Sequence, residues 1–294
     1  MTSKLIERLQ NGPVLIADGA TGSMLQAAGL PAGTPPEEWN VSQAEKIKAL
    51  HRAYLEAGSG LVLTNTFGGN RVKLSRAGRA DFVAEANLRA VELCRAAAAP
   101  YGAWVAGDMG PTGELLEPLG PLTYAQAVEA YAEQARYLAE GGVDCLWIET
   151  MSDLNEALAA VEGVQQATSL PLICTMSFDT RGRTMMGVRP AQAAAQLGER
   201  GLAAIGGNCG ASLDDMLQVV REMAATLPGQ PLVAKPNAGL PQLVDGVTVY
   251  RTTPEEMARY AVQFVQAGAR IVGGCCGSTP AHIAAIAKAV NQMT

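Results

Sequence analysis

Short apolar runs alternate with longer amphipathic stretches along the whole chain. Each apolar run is rich in Val, Ile, Leu or Ala and leads into glycine or polar residues, which is typical of a buried parallel strand. Eight such strands are predicted, at residues 14–17, 61–68, 104–108, 145–149, 171–176, 203–209, 231–237 and 270–274. Several intervening segments have apolar residues at helical spacing, so strands and helices are predicted to alternate.

Several helix starts are marked by side chains that can cap the first turn. Thr123 with Gln126, and Ser42 with Glu45, have the spacing of a capping box. In that motif, two side chains satisfy two backbone N–H groups that would otherwise lack partners. Thr279 stands directly before a proline, which is typical of the residue that begins a helix.

The repeated order of strand, loop and helix predicts an α/β fold, a single (β/α)8 TIM barrel. Such barrels have about 250 residues, and the 294 residues of this chain show no linker-like break in composition. Residues 1–294 are therefore predicted to form one domain. A doubly wound open sheet is the alternative, but its G-x-G-x-x-G fingerprint is replaced by DGATG at residues 18–22.

The chain is acidic, with a net charge of −6, and 48% of its residues are hydrophobic. It has no long run of Lys and Arg, which argues against nucleic-acid binding. No apolar run approaches the ~20 residues needed to span a membrane, and the N-terminus lacks a signal-peptide core. A cytoplasmic protein is therefore expected, and its six cysteines are expected to be reduced thiols or metal ligands.

Polar residues stand where the predicted strands end. In a barrel, the C-terminal ends of all strands meet on one face, which carries the active site. The residues at these ends are Asp18, Asn65, Asp108, Glu149, Cys209, Asn237, Cys275 and Cys276. Three carboxylates and three thiols are therefore predicted to converge, with Asn65 and Asp108 lining a substrate site. The carboxylates also fit helix caps or turns, and Asn65 also fits hydrogen bonding to loop backbone.

The adjacent thiols of Cys275 and Cys276 are well placed to bind one soft metal ion together with Cys209. Three thiolates and one exchangeable position are typical of a catalytic zinc site, since structural sites are usually closed by four protein ligands. A zinc hydrolase would more often use histidine ligands, but only His51 and His282 occur, both in helical patterns. The remaining cysteines are interpreted as small buried hydrophobes, namely Cys94, Cys145 and Cys174.

Six motifs occur in order: DGATG at 18–22, TNTF at 64–67, GDMGP at 107–111, ET at 149–150, GNCG at 207–210 and GGCCG at 273–277. With them, the chain resembles the zinc-dependent homocysteine S-methyltransferase family over nearly its whole length. The run KPNAGLP at residues 235–241 is most similar to the homocysteine-binding module of cobalamin-dependent methionine synthase. Members that use betaine or S-methylmethionine are close relatives.

The resemblance implies a (β/α)8 barrel in which three cysteines bind zinc, namely Cys209, Cys275 and Cys276. Asn237 is similar to the asparagine that can occupy the fourth zinc position when homocysteine is absent. Asp18 and Glu149 match the carboxylates that hold the substrate ammonium group. The backbone amides around Gly19 and Ala20 would receive the substrate carboxylate.

The function implied by the resemblance is zinc-dependent methyl transfer to the thiol of homocysteine, giving methionine. The homocysteine sulfur would bind the metal as a thiolate and attack a methyl group. The chain contains no Asp-x-His-x-x-Gly cobalamin motif. The resemblance to the methionine synthase module makes methylcobalamin the predicted donor, and the missing motif places it on a separate corrinoid protein or methionine synthase subunit.

Two alternatives stay open at this point. One is a small-molecule donor, namely S-methylmethionine, S-adenosylmethionine or betaine, each of which is a cation that an aromatic cage would bind. The aromatic residues expected near the rim are Trp39, Phe67, Tyr124 and Phe178. The other alternative, from a different class of protein, is a non-catalytic thiol–zinc scaffold subunit.

Overall fold

The computed structural model describes residues 4–244 and 247–293. Its strands are β1 (Leu15–Ile16), β2 (Leu61–Leu63), β3 (Trp104–Met109), β4 (Cys145–Met151), β5 (Leu172–Met176), β6 (Ala204–Cys209), β7 (Leu232–Pro236), β8 (Gln242–Val244), β9 (Val247–Val249) and β10 (Ala269–Val272). Eight of them form one parallel sheet in the order β1-β10-β7-β6-β5-β4-β3-β2, and β8 pairs with β9 in an antiparallel hairpin. The eight parallel strands coincide with the eight predicted apolar runs.

The sheet closes on itself where its two outermost strands, β1 and β2, meet. Ala17 forms a parallel bridge with Leu61, and the N–H of Gly60 donates to the carbonyl of Ile16 at 2.8 Å. Closure leaves no free edge, so the predicted (β/α)8 barrel is confirmed and the open doubly wound sheet is excluded.

Helices cover the outside of the barrel and connect successive strands. They are α1 (Lys4–Asn11), α2 (Gly22–Ala27), α3 (Trp39–Ser42), α4 (Ala44–Glu56), α5 (Arg71–Arg76), α6 (Val83–Ala98), α7 (Tyr124–Gly141), α8 (Leu154–Ala167), α9 (Pro190–Gly198), α10 (Leu213–Thr226), α11 (Pro254–Gln266) and α12 (Pro280–Asn291). Short 3-10 turns lie at Pro36–Glu38, Ala80–Phe82 and Ala99–Tyr101. In the part of the chain that the structure describes, none of the helices has the length and apolarity to cross a membrane.

Capping chemistry confirms one predicted capping box and corrects the other. Thr123 and Gln126 form both bonds of the box at the start of α7. The box predicted for Ser42 and Glu45 is wrong. The Ser42 hydroxyl instead donates to the carbonyl of Glu38 at 2.9 Å within α3, and Gln43 precedes α4 without a side-chain cap.

The two histidines lie in structural surroundings, as expected from the sequence. His282 belongs to the cap of α12, where the Thr279 N–H donates to its Nδ1 at 3.1 Å. His51 is buried in α4, with only 2% of its surface exposed. Burial lowers the pKa of His51 to about 4, so this imidazole is neutral at physiological pH.

The core has two layers, one between the sheet and the helices and one inside the barrel. The inner layer is built from alternate strand residues, with Leu5 and Leu9 of α1 closing its lower end. Its strand members are Leu15, Ala17, Leu61, Leu63, Ala106, Cys145, Trp147, Ile173, Ala203, Ala204, Val233 and Ile271. Since side chains alternate along a strand, the residue two positions beyond the last inner-layer residue of β3, β4 and β7 points into the mouth of the barrel, namely Asp108, Glu149 and Lys235. The predicted apolar cysteines, Cys94, Cys145 and Cys174, are fully buried.

Candidate metal and substrate site

A cavity of about 210 Å³ opens at the C-terminal mouth of the barrel. Nine of the ten predicted site residues line it, namely Asp18, Gly19, Ala20, Asn65, Asp108, Glu149, Cys209, Cys275 and Cys276. The tenth residue, Asn237, lies next to the Cys209–Gly210 backbone, because its N–H donates to the carbonyl of Cys209 at 3.2 Å and its Nδ2 donates to the carbonyl of Gly210 at 3.1 Å. The strand ends therefore bring the predicted residues together.

The three thiols form one cluster at this mouth. The sulfur atoms of Cys209, Cys275 and Cys276 lie within 4.8 Å of one another, and the first two are 3.1 Å apart. Cys209 ends β6 and the other two follow β10, with β7 between those strands. The convergence predicted from the sequence is present. A half-buried set of three sulfurs is a donor set that zinc prefers.

Hydrogen bonds from neighbouring segments hold the Cys275–Cys276 turn in place. The Cys275 N–H donates to the carbonyl of Pro236 at 2.8 Å, and the N–H of Ala238 donates to the carbonyl of Cys276 at 2.9 Å. The Ser278 hydroxyl donates to the carbonyl of Cys275 at 2.6 Å. Hydrogen bonds from Cys209 and Cys275 lower the pKa of Cys276, while the same contacts raise the pKa of Cys209 well above its usual range.

Gly277 follows the cysteine pair with a left-handed φ of +77°. A Cβ atom at this position would lie 2.1 Å from Cγ of Tyr250, whose ring covers the turn. Tyr250 lies just after the β8–β9 hairpin, which was not predicted from the sequence. The turn therefore depends on glycine both for its conformation and for the space that Tyr250 occupies.

We expect Gly277→Ala to destabilise the protein and to reduce its capacity to bind zinc. The left-handed conformation alone costs a non-glycine residue about 1–2 kcal/mol, and the overlap with Tyr250 adds to that cost. Gly182→Ala is the matched control, because Gly182 has a φ of +72° and nothing within 4 Å of the added Cβ. Thermal unfolding and zinc titration compare the two variants. Equal loss of stability and equal zinc binding would contradict the account of the turn.

A buried ion pair lies at the centre of the mouth. Nζ of Lys235 is 2.9 Å from Oδ1 of Asp18 and 4.0 Å from Oε2 of Glu149, and it lies 5.1 Å from the ring centroid of Trp147. The N–H of Leu63 donates to Oδ2 of Asp18 at 2.8 Å. Both oxygens of Asp18 are therefore bonded to the protein itself.

Lys235 was not assigned to the site from the sequence. It stands two positions beyond Val233, a member of the inner layer, so alternation along β7 directs its side chain into the mouth. The same rule relates Glu149 to Trp147 and Asp108 to Ala106. Alternation was therefore the signal that could have found Lys235.

Two other carboxylates in the mouth each have one oxygen that accepts no hydrogen bond from the described residues. Oδ1 of Asp108 and Oε2 of Glu149 are buried and make no hydrogen bond to any described residue. Burial raises the pKa of Glu149 to about 8 and raises the pKa of Asp108 well above its usual range. Buried acceptors of this kind are costly unless a donor or cation meets them, so they fit the ammonium group of a ligand.

Asn65 and Ala20 line the cavity but already make hydrogen bonds to other groups of the protein. Asn65 donates to the carbonyl of Pro36 at 2.8 Å and to Oδ1 of Asn40 at 2.9 Å, so it bonds neighbouring groups as well as lining the cavity. The Ala20 N–H donates to Oγ of Ser278 at 3.1 Å. A substrate carboxylate would therefore reach this amide only by displacing Ser278.

Of the four aromatic residues expected near the rim, one lines the cavity. That residue is Phe67. Trp39 and Phe178 are buried, with exposures of 6% and 1%, and Tyr124 is exposed at the start of α7, where its hydroxyl donates to Glu162. These four residues therefore do not form an aromatic cage around the thiols.

The homocysteine S-methyltransferase family model matches residues 15–290. The methionine synthases of Mycobacterium tuberculosis and Mycobacterium leprae are each 33% identical to this chain over 95% of its length. The chain spans about a quarter of those relatives, 25% and 24% respectively. Crystal structures of the homocysteine methyltransferase MmuM from Escherichia coli, metallated and apo, align with TM-scores of 0.77 and 0.75 at 24% identity. They cover 96% of this chain and 98% and 97% of MmuM, and they support the fold.

The fold and the site together define a (β/α)8 barrel whose mouth combines a three-thiol cluster with an acidic pocket. Because the family model covers nearly the whole chain, the protein belongs to the homocysteine S-methyltransferase family. The family and the fold predicted from the sequence are confirmed.

Proposed function

We propose that this chain transfers a methyl group to the thiol of homocysteine, giving methionine, and that residues 1–294 act as one homocysteine-binding domain. The observation that carries the proposal is the shared cavity. It joins a cluster of three thiols to two buried carboxylate oxygens, Oδ1 of Asp108 and Oε2 of Glu149, that accept no hydrogen bond from the described chain. A thiol and an ammonium group on one small molecule would satisfy both ends.

Zinc is the proposed metal, held by Cys209, Cys275 and Cys276. The donor set fits because sulfur ligands favour zinc over magnesium or calcium. Oδ1 of Asn237 is buried without a partner in the described chain, which supports its role as the fourth ligand in the absence of substrate. When zinc is bound, it lowers the pKa of a substrate thiol from about 8.5, so that homocysteine reacts as a thiolate at neutral pH.

The protein's own side chains position the substrate. Glu149 and Asp108 offer their unpartnered oxygens to the ammonium group, while Asp18 contributes through its ion pair with Lys235. The amide of Gly19 is the proposed partner of the substrate carboxylate, since the Ala20 amide is bonded to Ser278. Together these groups would hold homocysteine so that its sulfur points toward the methyl group, which lowers the entropic part of the activation barrier for methyl transfer.

The proposed methyl donor is methylcobalamin, carried by a separate corrinoid protein or methionine synthase subunit. The identity of 33% to two methionine synthases supports this donor. A small sulfonium or quaternary ammonium donor would favour an aromatic cage. Of the four candidate aromatics, only Phe67 lines the cavity, and Tyr250 is a further ring beside the Cys275–Cys276 turn.

The donor is tested by incubating the zinc-loaded protein and homocysteine with free methylcobalamin, S-methylmethionine, S-adenosylmethionine or betaine in separate reactions. Of the four donors, only methylcobalamin is expected to give methionine, which is measured by mass spectrometry. Methionine from one of the small cations instead would overturn the donor assignment while leaving the methyltransferase proposal standing. No methionine with any donor, together with zinc that does not respond to homocysteine, would favour the scaffold function.

A further inference from the structure

A fully buried amide lies between the three-thiol cluster and the acidic pocket. Asn208 precedes Cys209 at the end of β6 and has no exposed surface. Its Oδ1 accepts a hydrogen bond from the Thr150 N–H at 2.8 Å, and its Nδ2 donates to Oγ1 of Thr150 at 2.6 Å. Asn208 therefore grips the residue that directly follows Glu149.

The same amide also faces two of the thiols. Its Nδ2 is 3.6 Å from Sγ of Cys209 and 3.8 Å from Sγ of Cys275. An amide nitrogen carries two hydrogens, and the hydroxyl of Thr150 takes one of them. The second hydrogen is left for the two sulfurs, and a hydrogen bond to a thiolate is stronger than one to a neutral thiol.

The backbone at both ends of this link is held in an unusual conformation. Thr150 has a φ of +63° and Cys209 has a φ of +58°. A β-branched residue rarely adopts the left-handed region, and such residues persist only where their surroundings fix them. The paired hydrogen bonds between Asn208 and Thr150 supply such a constraint, and so they hold the backbone of β4 directly after Glu149.

We propose that Asn208 is a positioning residue that couples the metal centre to Glu149, the carboxylate proposed to bind the substrate ammonium group. Its free N–H bonds the ligand thiolates, and its other two hydrogen bonds hold the Glu149–Thr150 segment. This inference rests on the proposed binding of zinc and homocysteine. Removing a hydrogen-bond partner of a metal ligand typically weakens metal affinity by about 10- to 100-fold.

The test compares Asn208→Ala with Thr150→Ala in the chain of residues 1–294. Thr150→Ala removes the hydroxyl and the methyl group of the side chain but keeps the backbone N–H that bonds Oδ1 of Asn208, so the amide still reaches the sulfurs. Zinc affinity is measured by competition with a chromophoric chelator, and homocysteine affinity by calorimetry on the zinc-loaded proteins. We expect Asn208→Ala to weaken zinc binding roughly 10- to 100-fold and to weaken homocysteine binding as well, while Thr150→Ala keeps the wild-type zinc affinity.

Cobalt substitution provides a readout that a purely structural role would not move. Loss of the hydrogen bond raises the energy of the sulfur electrons, so the thiolate-to-cobalt charge-transfer band of Asn208→Ala is expected at longer wavelength than in wild type and Thr150→Ala. If Asn208→Ala does not fold, the wild-type protein loaded with NMR-active cadmium is used. Scalar coupling between the metal and an Asn208 amide proton is then expected.

The outcomes separate this inference from the proposed function. If the wild-type protein binds no zinc, both the proposed function and the proposed role of Asn208 are overturned. If wild type binds zinc but Asn208→Ala matches Thr150→Ala in zinc affinity and in its cobalt spectrum, only the coupling role is overturned. Absence of the cadmium coupling in the wild-type protein would overturn it equally.

Discussion

Cys209→Ala, Cys275→Ala and Cys276→Ala are each expected to reduce bound zinc to background after dialysis and to abolish methyl transfer. Each change removes one of three sulfurs that lie within 4.8 Å of one another. Two remaining thiolates are too few to hold the metal while one position stays open for substrate. Elemental analysis of the purified proteins gives the zinc content, and circular dichroism verifies that each variant is folded.

Cys174→Ala is the matched control for the three ligand variants. This thiol is fully buried in the outer core layer, so its removal leaves a small cavity and leaves the cluster intact. We expect it to lose some stability and to keep stoichiometric zinc. Full zinc content in any one of the three cluster variants would contradict the assignment of that cysteine as a zinc ligand.

Glu149→Gln is expected to weaken homocysteine binding roughly 10- to 100-fold while zinc content stays at the wild-type level. A hydrogen bond to a charged group contributes about 1.5–3 kcal/mol, and each 1.4 kcal/mol is about a factor of ten in affinity. Burial raises the pKa of Glu149 to about 8 in the free protein, and a bound ammonium group would favour its charged form. Glutamine keeps the size of the side chain but cannot take up that charge. Calorimetric titration of the zinc-loaded variant with homocysteine measures the loss.

The control for this variant is Glu140→Gln, which removes a carboxylate that is exposed on α7 and does not line the cavity. Its homocysteine affinity should equal that of wild type. If Glu149→Gln also binds homocysteine with wild-type affinity, Glu149 has no part in holding the ammonium group, and Asp108 becomes the sole candidate with an unpartnered oxygen there.

The barrel could be predicted from the sequence because its strands are buried on both faces. Such strands are short, nearly continuous apolar runs, and each one here leads into glycine or polar residues. Once eight runs predict a barrel, its topology places their C-terminal ends on one rim. Cys209 and Cys275 could therefore be placed together although 66 positions separate them.

Lys235 is a residue of the site that could not be predicted from the ends of the strands. The polar residue at the end of the strand predicted at residues 231–237 is Asn237. Lys235 lies inside the strand, and its partner Asp18 is 217 positions away. Local sequence carries no sign of that pairing. Only the inner-layer register, with Val233 two positions earlier, directs the side chain toward the mouth.

The elements that were missed or wrongly placed lie where local signals are weak. All three residues of β8 are exposed, so the hairpin that precedes Tyr250 has no buried face to produce an apolar pattern. Ser42 has the sequence of a cap, but a hydroxyl can also bond the carbonyl four residues earlier in a helix, and here it does so within α3. Tertiary packing decides between such options.

The central claim is that zinc held by three cysteines receives the sulfur of homocysteine. Zinc-edge X-ray absorption on the zinc-loaded protein, recorded with and without homocysteine, tests it most directly. The account predicts three sulfur neighbours around the metal without substrate and one additional sulfur when homocysteine is present. An unchanged sulfur count at saturating homocysteine would contradict it.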